Sequence, residues 1–272
     1  MIKIKIIVCI KQVPGTTEIK INPENNTLVR EGVESIINPF DTYAIEEGVR
    51  LKERLSSIDN TGQTPEVISI SMGPPHSIEI LRESISLGID RSILISDRAF
   101  AGADTWATAF TLSKAIKKID GWRLIILGKQ TLDGDTGQVG PELSQMLNIP
   151  FIGYVSNIIE INENKIIAKR LMDDRYETIE TRFPAAISVG KEINMPRVPS
   201  LRGKLKAKNE QIPVWDRNYL VLDEEEVGLS GSYTQVIKIF TPQVKHEIKI
   251  IKGSAEEQVN ELYLKLKELK VI

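Results

Sequence analysis

The residues whose types and spacing suggest chemistry lie between Leu124 and Leu147. Four apolar residues open this segment, as in a buried strand, and apolar residues return at helical spacing from Val139 onward. The intervening loop contains glycines, acids and a hydroxyl, namely Gly128, Asp133, Gly134, Asp135, Thr136, Gly137 and Gly140. Glycine lets backbone N–H groups approach an anion, and the positive end of the following helix favours negative charge there. The segment therefore predicts a strand, a loop and a helix that together bind a phosphate.

The glycine spacing matches neither of two common phosphate motifs. The sequence contains no G-x-x-x-x-G-K-[ST] run, and Gly134, Gly137 and Gly140 recur every third residue instead of following G-x-G-x-x-G. Close packing of a helix on a strand also selects glycine, so a purely structural interpretation stays open on these residues alone. Asp133 and Asp135 are interpreted as residues that shape the loop or bond a ribose, because no histidine lies near them in sequence for acid–base chemistry.

Charge and composition exclude several classes of protein. Lys plus Arg number 35 and Asp plus Glu number 37 among 272 residues, so the chain offers no basic field for nucleic acid. One cysteine, Cys9, and two histidines provide neither a disulfide framework nor a Cys/His metal site. The apolar residues 2–10 are interrupted by Lys3 and Lys5 and are too few for a signal peptide or a membrane span. We expect a cytoplasmic protein without membrane insertion.

The elements that must position the loop alternate between strands and helices. Strands are predicted at 4–10, 67–71, 92–95 and 124–127, with helices between them, which is typical of an α/β fold with a mostly parallel sheet. Asn38 and Asp104 are predicted helix caps, Thr136 is a candidate cap, and Asp41 is expected near the positive end of the first helix. Ligands of such sheets bind at the carboxyl ends of the strands, which here are residues 9–11, 71–73, 103–105 and 128–140.

The sequence pattern changes after Pro150. Antiparallel strands are predicted at 151–161, 165–171, 176–181 and 185–189. Residues 191–272 are predicted to form a basic, proline-containing arm whose last helix carries Ser254 and Glu257 as a capping box. The predicted domains are an α/β domain over 1–190, with 151–190 as a β-rich extension, and the arm over 191–272. A hairpin within 19–30 and a strand at 235–240 are also predicted.

With these segments in place, the chain resembles the β subunit of an electron-transfer flavoprotein. The resemblance covers nearly the whole length and is carried by the order and number of its motifs, none of which is specific alone. They are Lys11-Gln12-Val13-Pro14, Asn38-Pro39-Phe40-Asp41 with Tyr43-Ala44-Ile45-Glu46-Glu47, Ser71-Met72-Gly73-Pro74, Leu127-Gly128-Lys129-Gln130 continuing through Asp133 to Pro141, and Lys206-Ala207-Lys208.

The resemblance implies a Rossmann-like, doubly wound α/β fold that pairs with a larger α subunit carrying a redox-active FAD. The heterodimer would pass electrons between flavoprotein dehydrogenases and an acceptor, while the β subunit holds an adenine nucleotide. The motif match and the strand ends together give the expected cofactor-binding residues, which are Cys9, Lys11, Asn38, Phe40, Asp41, Ser71, Met72, Gly73, Asp104, Thr105, Gly128, Lys129, Gln130, Thr131, Leu132, Asp133, Gly134, Asp135, Thr136, Gly137, Gln138, Val139 and Gly140.

The resemblance also assigns partner contacts to the basic arm. The partner-recognition loop of the family matches Met195 to Leu205, with Leu201 at the position that inserts into a flavoprotein dehydrogenase such as an acyl-CoA dehydrogenase. The expected partner-binding residues are Met195, Leu201, Arg202 and Lys204. An apolar anchor rimmed by cations is a typical interface hot spot.

Two kinds of β subunit are known in this family. One holds AMP, and the other holds a second FAD that accepts a hydride from NADH and splits the electron pair, with ferredoxin as a low-potential acceptor. The run from Asp133 to Gly140, together with Asp104 and Thr105, resembles the FAD-holding, bifurcating kind, whereas AMP-holding members tend to carry Asn-Gln-Thr-Gly at 137–140. FAD is the predicted cofactor and structural AMP the alternative, and the chain is at most an NADH-oxidising component of a dehydrogenase complex. A third hypothesis, an ATP-binding sensor or hydrolase on the same kind of sheet, lacks the P-loop lysine and serine.

Overall fold

The computed structural model describes residues 5–15, 35–58, 64–237 and 248–272. The chain falls into two compact units, Met1–Val236 and Ile237–Ile272, which are described separately. The hairpin predicted within 19–30 lies outside the described residues. So does part of the strand predicted at 235–240, whose described residues, 235–237, have no regular structure. The domain boundary predicted after residue 190 stays a prediction.

The first unit is built on one large sheet flanked by helices. Its strands are β1 (Lys5–Cys9), β2 (Gln12–Pro14), β3 (Ser35–Ile37), β4 (Glu66–Met72), β5 (Arg91–Ile95), β6 (Trp122–Gly128), β7 (Phe151–Ile161), β8 (Lys165–Leu171), β9 (Tyr176–Arg182), β10 (Ala185–Val189) and β11 (Val214–Trp215). Its helices are α1 (Pro39–Ile58), α2 (Ile78–Ser86), α3 (Thr105–Lys117), α4 (Val139–Leu147), α5 (Leu201–Asn209) and α6 (Arg217–Leu220). β2 and β3 pair with each other, and the other described strands form one sheet in the order β11-β5-β4-β1-β6-β10-β7-β8-β9.

The strand order places a topological switch between β1 and β6. The chain moves from β1 to β4 and β5 on one side of β1, and later lays β6 on the other side. β1 is parallel to both β4 and β6, and its last residue, Cys9, pairs with Ile70 and Leu127. Connections diverge at such a point and leave a crevice at the carboxyl ends of the strands. The predicted α/β fold with a mostly parallel sheet is confirmed.

Helices cover both faces of the parallel strands, as their almost unbroken apolar sequences require. Ile6 and Val8 of β1 lie in a core shared with α1, α2 and α5, whereas Ile7 and Cys9 lie in a core shared with α3 and α4. These four side chains are buried. A one-residue slip would exchange the two faces, so the two cores fix the position of β1 and of the residues that follow it.

One strand direction differs from the prediction. β7, β8 and β9 form the predicted antiparallel extension, but β10 runs parallel to both β6 and β7. All of β10 is buried, whereas β9 alternates exposed and half-buried residues. A continuous apolar run is typical of a parallel strand that is covered on both faces. β10 therefore brings Val189 to the carboxyl edge beside Gly128.

The second unit contains helix α7 (Ala255–Glu268). The predicted capping box is confirmed, because the Glu257 N–H donates to Ser254 Oγ at 3.4 Å and the Ser254 N–H donates to the Glu257 carboxylate at 2.7 Å. Lys249 and Glu261 form an ion pair at 2.6 Å. Among the described residues, no helix has the length and hydrophobicity needed to cross a membrane. The cytoplasmic location stays a prediction.

Helix α1 packs closely against the sheet at Gly48, and this contact can be tested by substitution. A Cβ at Gly48 would lie 2.9 Å from Val8 Cγ2 and 3.1 Å from Val67 Cγ1. We expect Gly48→Leu to lower the free energy of unfolding by about 1–3 kcal/mol in urea denaturation, because the larger side chain forces α1 away from β1 and β4. Leucine is the better helix former, so a stabilised variant would contradict this packing. Ser57→Leu, at an exposed position of α1, is the control.

Candidate functional site

The carboxylate of Asp41 joins the two strands that flank the switch point. Asp41 lies in the first turn of α1 and is 4% exposed. Its Oδ2 accepts a hydrogen bond from the Lys11 N–H at 2.7 Å, and its Oδ1 accepts one from the Gly128 N–H at 3.2 Å. Lys11 follows β1 closely and Gly128 ends β6. One side chain therefore satisfies backbone donors from both strand ends.

Burial governs the ionisation of Asp41 and of its neighbour Cys9. Burial raises the pKa of Asp41 to about 7, while hydrogen bonds from the Asn38 side chain and from the N–H groups of Lys11 and Gly128 act in the opposite direction. Desolvation disfavours the charged carboxylate, and the donors recover part of that cost. Burial, and then the charge of Asp41, also raise the pKa of the Cys9 thiol. Cys9 is therefore a neutral thiol at the end of β1 and not an activated nucleophile.

Asn38 holds the next part of the loop. Its Nδ2 donates to the Gln130 carbonyl at 2.9 Å, and its Oδ1 accepts from the Leu132 N–H at 3.2 Å. Pro39 begins α1 as predicted, and the side-chain oxygen of Asn38, the residue before it, accepts this bond from the loop. Because Asn38 is fully buried, it fixes the backbone of residues 130–132 against the start of α1.

Lys129 and Phe40 add a third contact between the loop and α1. The Lys129 ammonium lies 4.9 Å from the centre of the Phe40 ring, a cation–π contact that holds the charge beside the helix. The Lys129 N–H donates to the Val189 carbonyl at the end of β10, at 2.9 Å. The loop is thus fixed on one side by α1 and at its first residue by β10.

The two acids of the loop shape it, as predicted. The Asp133 carboxylate pairs with Lys11 Nζ at 2.7 Å. The Asp135 carboxylate accepts a hydrogen bond from the Gln130 side chain, and the Asp135 N–H donates to the Thr131 carbonyl at 2.8 Å. These bonds tie each acid to a neighbouring part of the same crevice, which supports the interpretation that the acids shape the loop; a bond to a ribose stays a prediction.

The glycines of the loop are required for different reasons. A Cβ at Gly128 would lie 2.3 Å from Asp41 Oδ1, and one at Gly140 would lie 2.9 Å from the Phe151 ring, so packing requires glycine at both positions. Gly137 has a φ of +63°, in the left-handed region that favours glycine. The structural interpretation of the glycine pattern therefore holds for Gly128 and Gly140. At Gly137, in the turn before α4, the backbone conformation also favours glycine, and its role in binding a ligand stays a prediction.

The start of α4 provides the backbone donors that an anion needs. Gln138 occupies the N-cap position without a side-chain capping bond, so the predicted cap at Thr136 is wrong. Thr136 and Gln138 are exposed. N–H groups in the first turn of a helix have no intrahelical partner and point towards solvent or a bound anion. Pro141 lies within this turn, where its missing N–H is tolerated.

The end of β4 contributes three predicted residues at the same edge. Ser71 is 1% exposed, and its Oγ has no hydrogen-bond partner among the described residues. Met72 packs against the core beneath α3 and α4, and the Gly73 N–H donates to the Ile95 carbonyl of β5 at 3.0 Å. A buried hydroxyl without a partner is costly, which makes Ser71 a candidate for a hydrogen bond to a ligand.

Asp104 and Thr105 are held by protein contacts at the start of α3. Asp104 Oδ1 accepts from the Ala107 N–H at 3.0 Å, which confirms the predicted cap. Asp104 Oδ2 accepts from the Thr234 N–H at 2.9 Å, and the Thr105 hydroxyl donates to Glu142 Oε1 at 3.0 Å. Burial raises the pKa of the Glu142 carboxyl. These bonds join α3 to α4 and to residue 234. Asp104 and Thr105 are therefore held separately from the loop that Asp41 holds.

The predicted partner-binding residues lie on the protein surface. Met195 is 83% exposed and Leu201 is 77% exposed. Arg202 and Lys204 are also exposed, in helix α5. Ala207 on the other side of α5 is buried in the core that contains α2. Helix α5 therefore packs against the rest of the chain through Ala207, while Met195 and Leu201 remain exposed.

Sequence reasoning missed several residues around the crevice. The carbonyl of Val189 was missed because β10 was assigned to the antiparallel extension, although its unbroken apolar sequence indicates a covered strand. Glu142, two residues after Gly140, could have been predicted to lie in the first turn of α4, because an acid is favoured there. Trp106 in α3 is 41% exposed and meets Tyr233 edge-on. No sequence signal pairs Asp104 with Thr234, which is 130 residues away.

The fold and the crevice together define a doubly wound α/β protein whose ligand edge lies between β1 and β6. A family model described as the electron transfer flavoprotein domain matches residues 25–219. The chain is 43% identical over 269 residues to the caffeyl-CoA reductase-Etf complex subunit CarD of Acetobacterium woodii, with 98% of this chain and 100% of that protein covered.

Two further relatives agree with this match. The chain is 42% identical over 268 residues to the electron transfer flavoprotein subunit beta of Thermoanaerobacterium thermosaccharolyticum, covering 98% of this chain and 99% of that protein. It is 40% identical over 243 residues to protein FixA of Azotobacter vinelandii, covering 87% of this chain and 84% of that protein. The chain belongs to the electron transfer flavoprotein family, as a β subunit. Members of this family bind a flavin, AMP or both.

The raised pKa of Asp41 predicts a pH-dependent stability. Asp41 keeps its proton up to about pH 7 in the folded chain, whereas an ordinary aspartate loses it near 3.8. The folded state therefore binds more protons between these values, and the contribution of Asp41 to stability falls as the pH rises. Asparagine cannot ionise, so the unfolding free energy of Asp41→Asn relative to the wild type should rise by up to about 1.4 kcal/mol per pH unit as the pH approaches 7.

Urea denaturation of both proteins from about pH 5 to about pH 8 measures this difference. Ser71→Ala, which alters a buried hydroxyl of the same crevice that does not ionise, is the control and should show no such slope. A difference between Asp41→Asn and the wild type that stays constant over this range would contradict the buried, protonated carboxyl.

Proposed function

We propose that this β subunit holds FAD in the crevice at the β1/β6 switch point and works in a heterodimer with an electron-transfer flavoprotein α subunit. The main support is that Asp41 and Asn38 hold the glycine-containing loop in place. The exposed turn of this loop and the start of α4 therefore lie beside both strand ends. A rigid loop with free backbone donors is the arrangement that binds a nucleotide phosphate.

The residues present fit a nucleotide in this crevice. The turn at Gly137 and the first-turn N–H groups of α4 suit the phosphates. The unpartnered hydroxyl of Ser71 and the hydroxyl of Thr105 suit the hydrogen-bonding groups of the remaining nucleotide. Cys9 provides a neutral wall, because burial raises the pKa of its thiol. Lys11 is already paired with Asp133, so the positive groups that remain for a phosphate are the backbone N–H groups and the Lys129 ammonium beside Phe40.

FAD is favoured over AMP by the local sequence and by one relative. The run from Asp133 to Gly140, with Asp104 and Thr105, resembles the bifurcating kind of β subunit. The relative from Acetobacterium woodii is named as a subunit of a caffeyl-CoA reductase-Etf complex. When bound, FAD supplies a flavin ring that accepts a hydride from NADH and passes the electrons on singly. In this proposal one electron goes towards a flavoprotein dehydrogenase and the other towards a low-potential acceptor such as ferredoxin.

The dehydrogenase partner is proposed to dock on the exposed residues Met195, Leu201, Arg202 and Lys204. Two exposed apolar side chains beside two cations suit a partner with an apolar pocket and an acidic rim. The caffeyl-CoA reductase in the name of the relative supports a CoA-ester dehydrogenase or reductase as the class of partner, of which an acyl-CoA dehydrogenase is an example.

Release and counting of nucleotides from the purified heterodimer test the proposed cofactor. We expect two FAD per heterodimer, one from each subunit. One FAD and one AMP would contradict FAD in this subunit and support a non-bifurcating electron carrier. A colourless protein that turns over ATP would instead support the sensor or hydrolase hypothesis, and absence of any nucleotide from the β subunit would contradict the site itself.

Gly137→Leu tests the location of the phosphate. A leucine at a φ of +63° is strained, and its Cβ would lie 3.3 Å from the Lys129 carbonyl, so the turn must change shape. We expect the variant to lose the β-bound nucleotide and to retain the α-bound FAD in the same counting assay. Gly121→Leu is the matched control, because Gly121 has a φ of +78° but precedes β6 at the opposite edge of the sheet. Full nucleotide occupancy in Gly137→Leu would show that the phosphate lies elsewhere.

A further inference from the structure

Residues 190–200, here named the linking segment, begin beside the nucleotide loop and end at α5. The segment leaves β10 at Val189, whose carbonyl accepts the Lys129 N–H at 2.9 Å. A Cβ at Gly190 would lie 3.8 Å from the Lys129 side chain and 2.7 Å from Glu192 Oε2, so the chain turns tightly here. The segment therefore starts at the first residue of the loop assigned to the phosphate.

The linking segment is then bound to α1 by Asn194 and Arg197. Asn194 Nδ2 donates to the Tyr43 carbonyl at 3.0 Å and to Glu47 Oε2 at 2.9 Å. The Arg197 backbone N–H and Nε both donate to Glu46 Oε2, at 3.0 and 2.8 Å. Together these bonds place the middle of the segment along the helix.

The Arg197 guanidinium bridges two carboxylates of α1. Nη2 donates to Glu46 Oε1 at 3.2 Å, and Nη1 and Nη2 donate to the two oxygens of Glu53 at 2.7 and 3.1 Å. Glu46 is 4% exposed, and charged pairs with several charge-assisted bonds are much stronger than exposed single pairs. Only a planar guanidinium donates in this geometry, and a lysine does not.

Helix α1 is common to both sets of contacts. Its first turn and the preceding residue hold the nucleotide loop through Asn38, Phe40 and Asp41, and its later turns hold the linking segment through Glu46, Glu47 and Glu53. At 1.5 Å per residue, the helix spans roughly 18 Å from Asp41 to Glu53. Loop, helix and linking segment are therefore continuous through hydrogen bonds and ion pairs.

The side of the linking segment that does not bind α1 is apolar and exposed. Asn194 and Arg197 are partly buried, whereas Met195 and Val198 are 83% and 85% exposed. Exposed apolar residues in a segment held this firmly are presented in a defined arrangement, since the backbone on either side is bonded. Leu201, at the start of α5, continues the same exposed group.

We propose that Arg197 is a positioning residue that couples nucleotide binding to the order of Met195, Val198 and Leu201 through helix α1. A nucleotide that rigidifies the loop also rigidifies the start of α1 and the end of β10, and the linking segment then loses less entropy when a protein docks on it. The inference rests on the proposed function, because it takes AMP or FAD as the ligand of the loop.

Hydrogen exchange of the linking segment tests the coupling. The purified heterodimer is stripped of the β-bound nucleotide and reloaded with FAD or with AMP, and exchange is followed by mass spectrometry in peptides covering 191–201. We expect loading to slow the exchange in the wild type. In Arg197→Met we expect exchange about tenfold faster or more, with no response to loading, because several charge-assisted bonds are lost. Nucleotide affinity should change by less than about threefold, since Arg197 makes no contact with the loop.

Three further variants make the experiment decisive. Arg170→Met removes a comparable guanidinium that pairs with Glu177 in the β8–β9 hairpin, and should leave the exchange of 191–201 unchanged. Glu53→Gln removes one carboxylate charge and keeps Glu46, so it should give an intermediate effect even if Arg197→Met fails to fold. Arg197→Lys should restore the response only in part.

Two results separate failure of the coupling from failure of the site. If AMP and FAD both fail to bind the stripped β subunit, the proposed function and the coupling are both wrong. If either binds and the exchange of 191–201 does not respond in the wild type, or still responds fully in Arg197→Met and Glu53→Gln, the site stands and the coupling is wrong.

Discussion

The hydrogen bonds of Asp41 are the constraint on which the rest of the crevice depends. Strands β1 and β6 are paired as far as Cys9 and Leu127, and beyond that point the Lys11 and Gly128 N–H groups both donate to one carboxylate. Burial of that carboxylate is unfavourable and raises its pKa to about 7, so the fold retains it at a cost. The same contact requires glycine at position 128, because a Cβ there would lie 2.3 Å from Asp41 Oδ1.

The same helix start explains the shape of the loop and its connection to the surface. Asn38 and Phe40 hold residues 129–132, which leaves the turn at Gly137 and the beginning of α4 as the exposed, donor-rich part of the crevice. Further along α1, carboxylates bind the segment that carries the exposed apolar side chains. The proposed nucleotide site and the proposed docking surface would thus contact the same helix, the first at its start and the second from its second turn onward.

The sequence was sufficient for the elements whose signal is local and insufficient for those set by distant contacts. The buried parallel strands, the cap at Asp104 and the box at Ser254 follow from apolar runs and capping residues. The direction of β10 was mistaken because its partners, β6 and β7, are set by tertiary structure, although its unbroken apolar sequence indicated a strand covered on both faces. The edge of the sheet that forms the crevice was predicted from the strand ends. The bond between Asp41 and Gly128 joins residues 87 positions apart, and the bond between Arg197 and Glu46 joins residues 151 positions apart. Contacts over such separations have no local sequence signature. Family resemblance added the cofactor and partner, which composition and spacing alone left open.

A crystal structure of the heterodimer with its nucleotides would show where the β-bound phosphate lies relative to the loop held by Asp41. We expect phosphate oxygens within hydrogen-bonding distance of backbone N–H groups between Gly137 and Gly140, with the Asp41 carboxylate still bonded to the Lys11 and Gly128 N–H groups. A nucleotide bound away from this turn, or an Asp41 side chain released from either strand end in the loaded protein, would contradict this expectation.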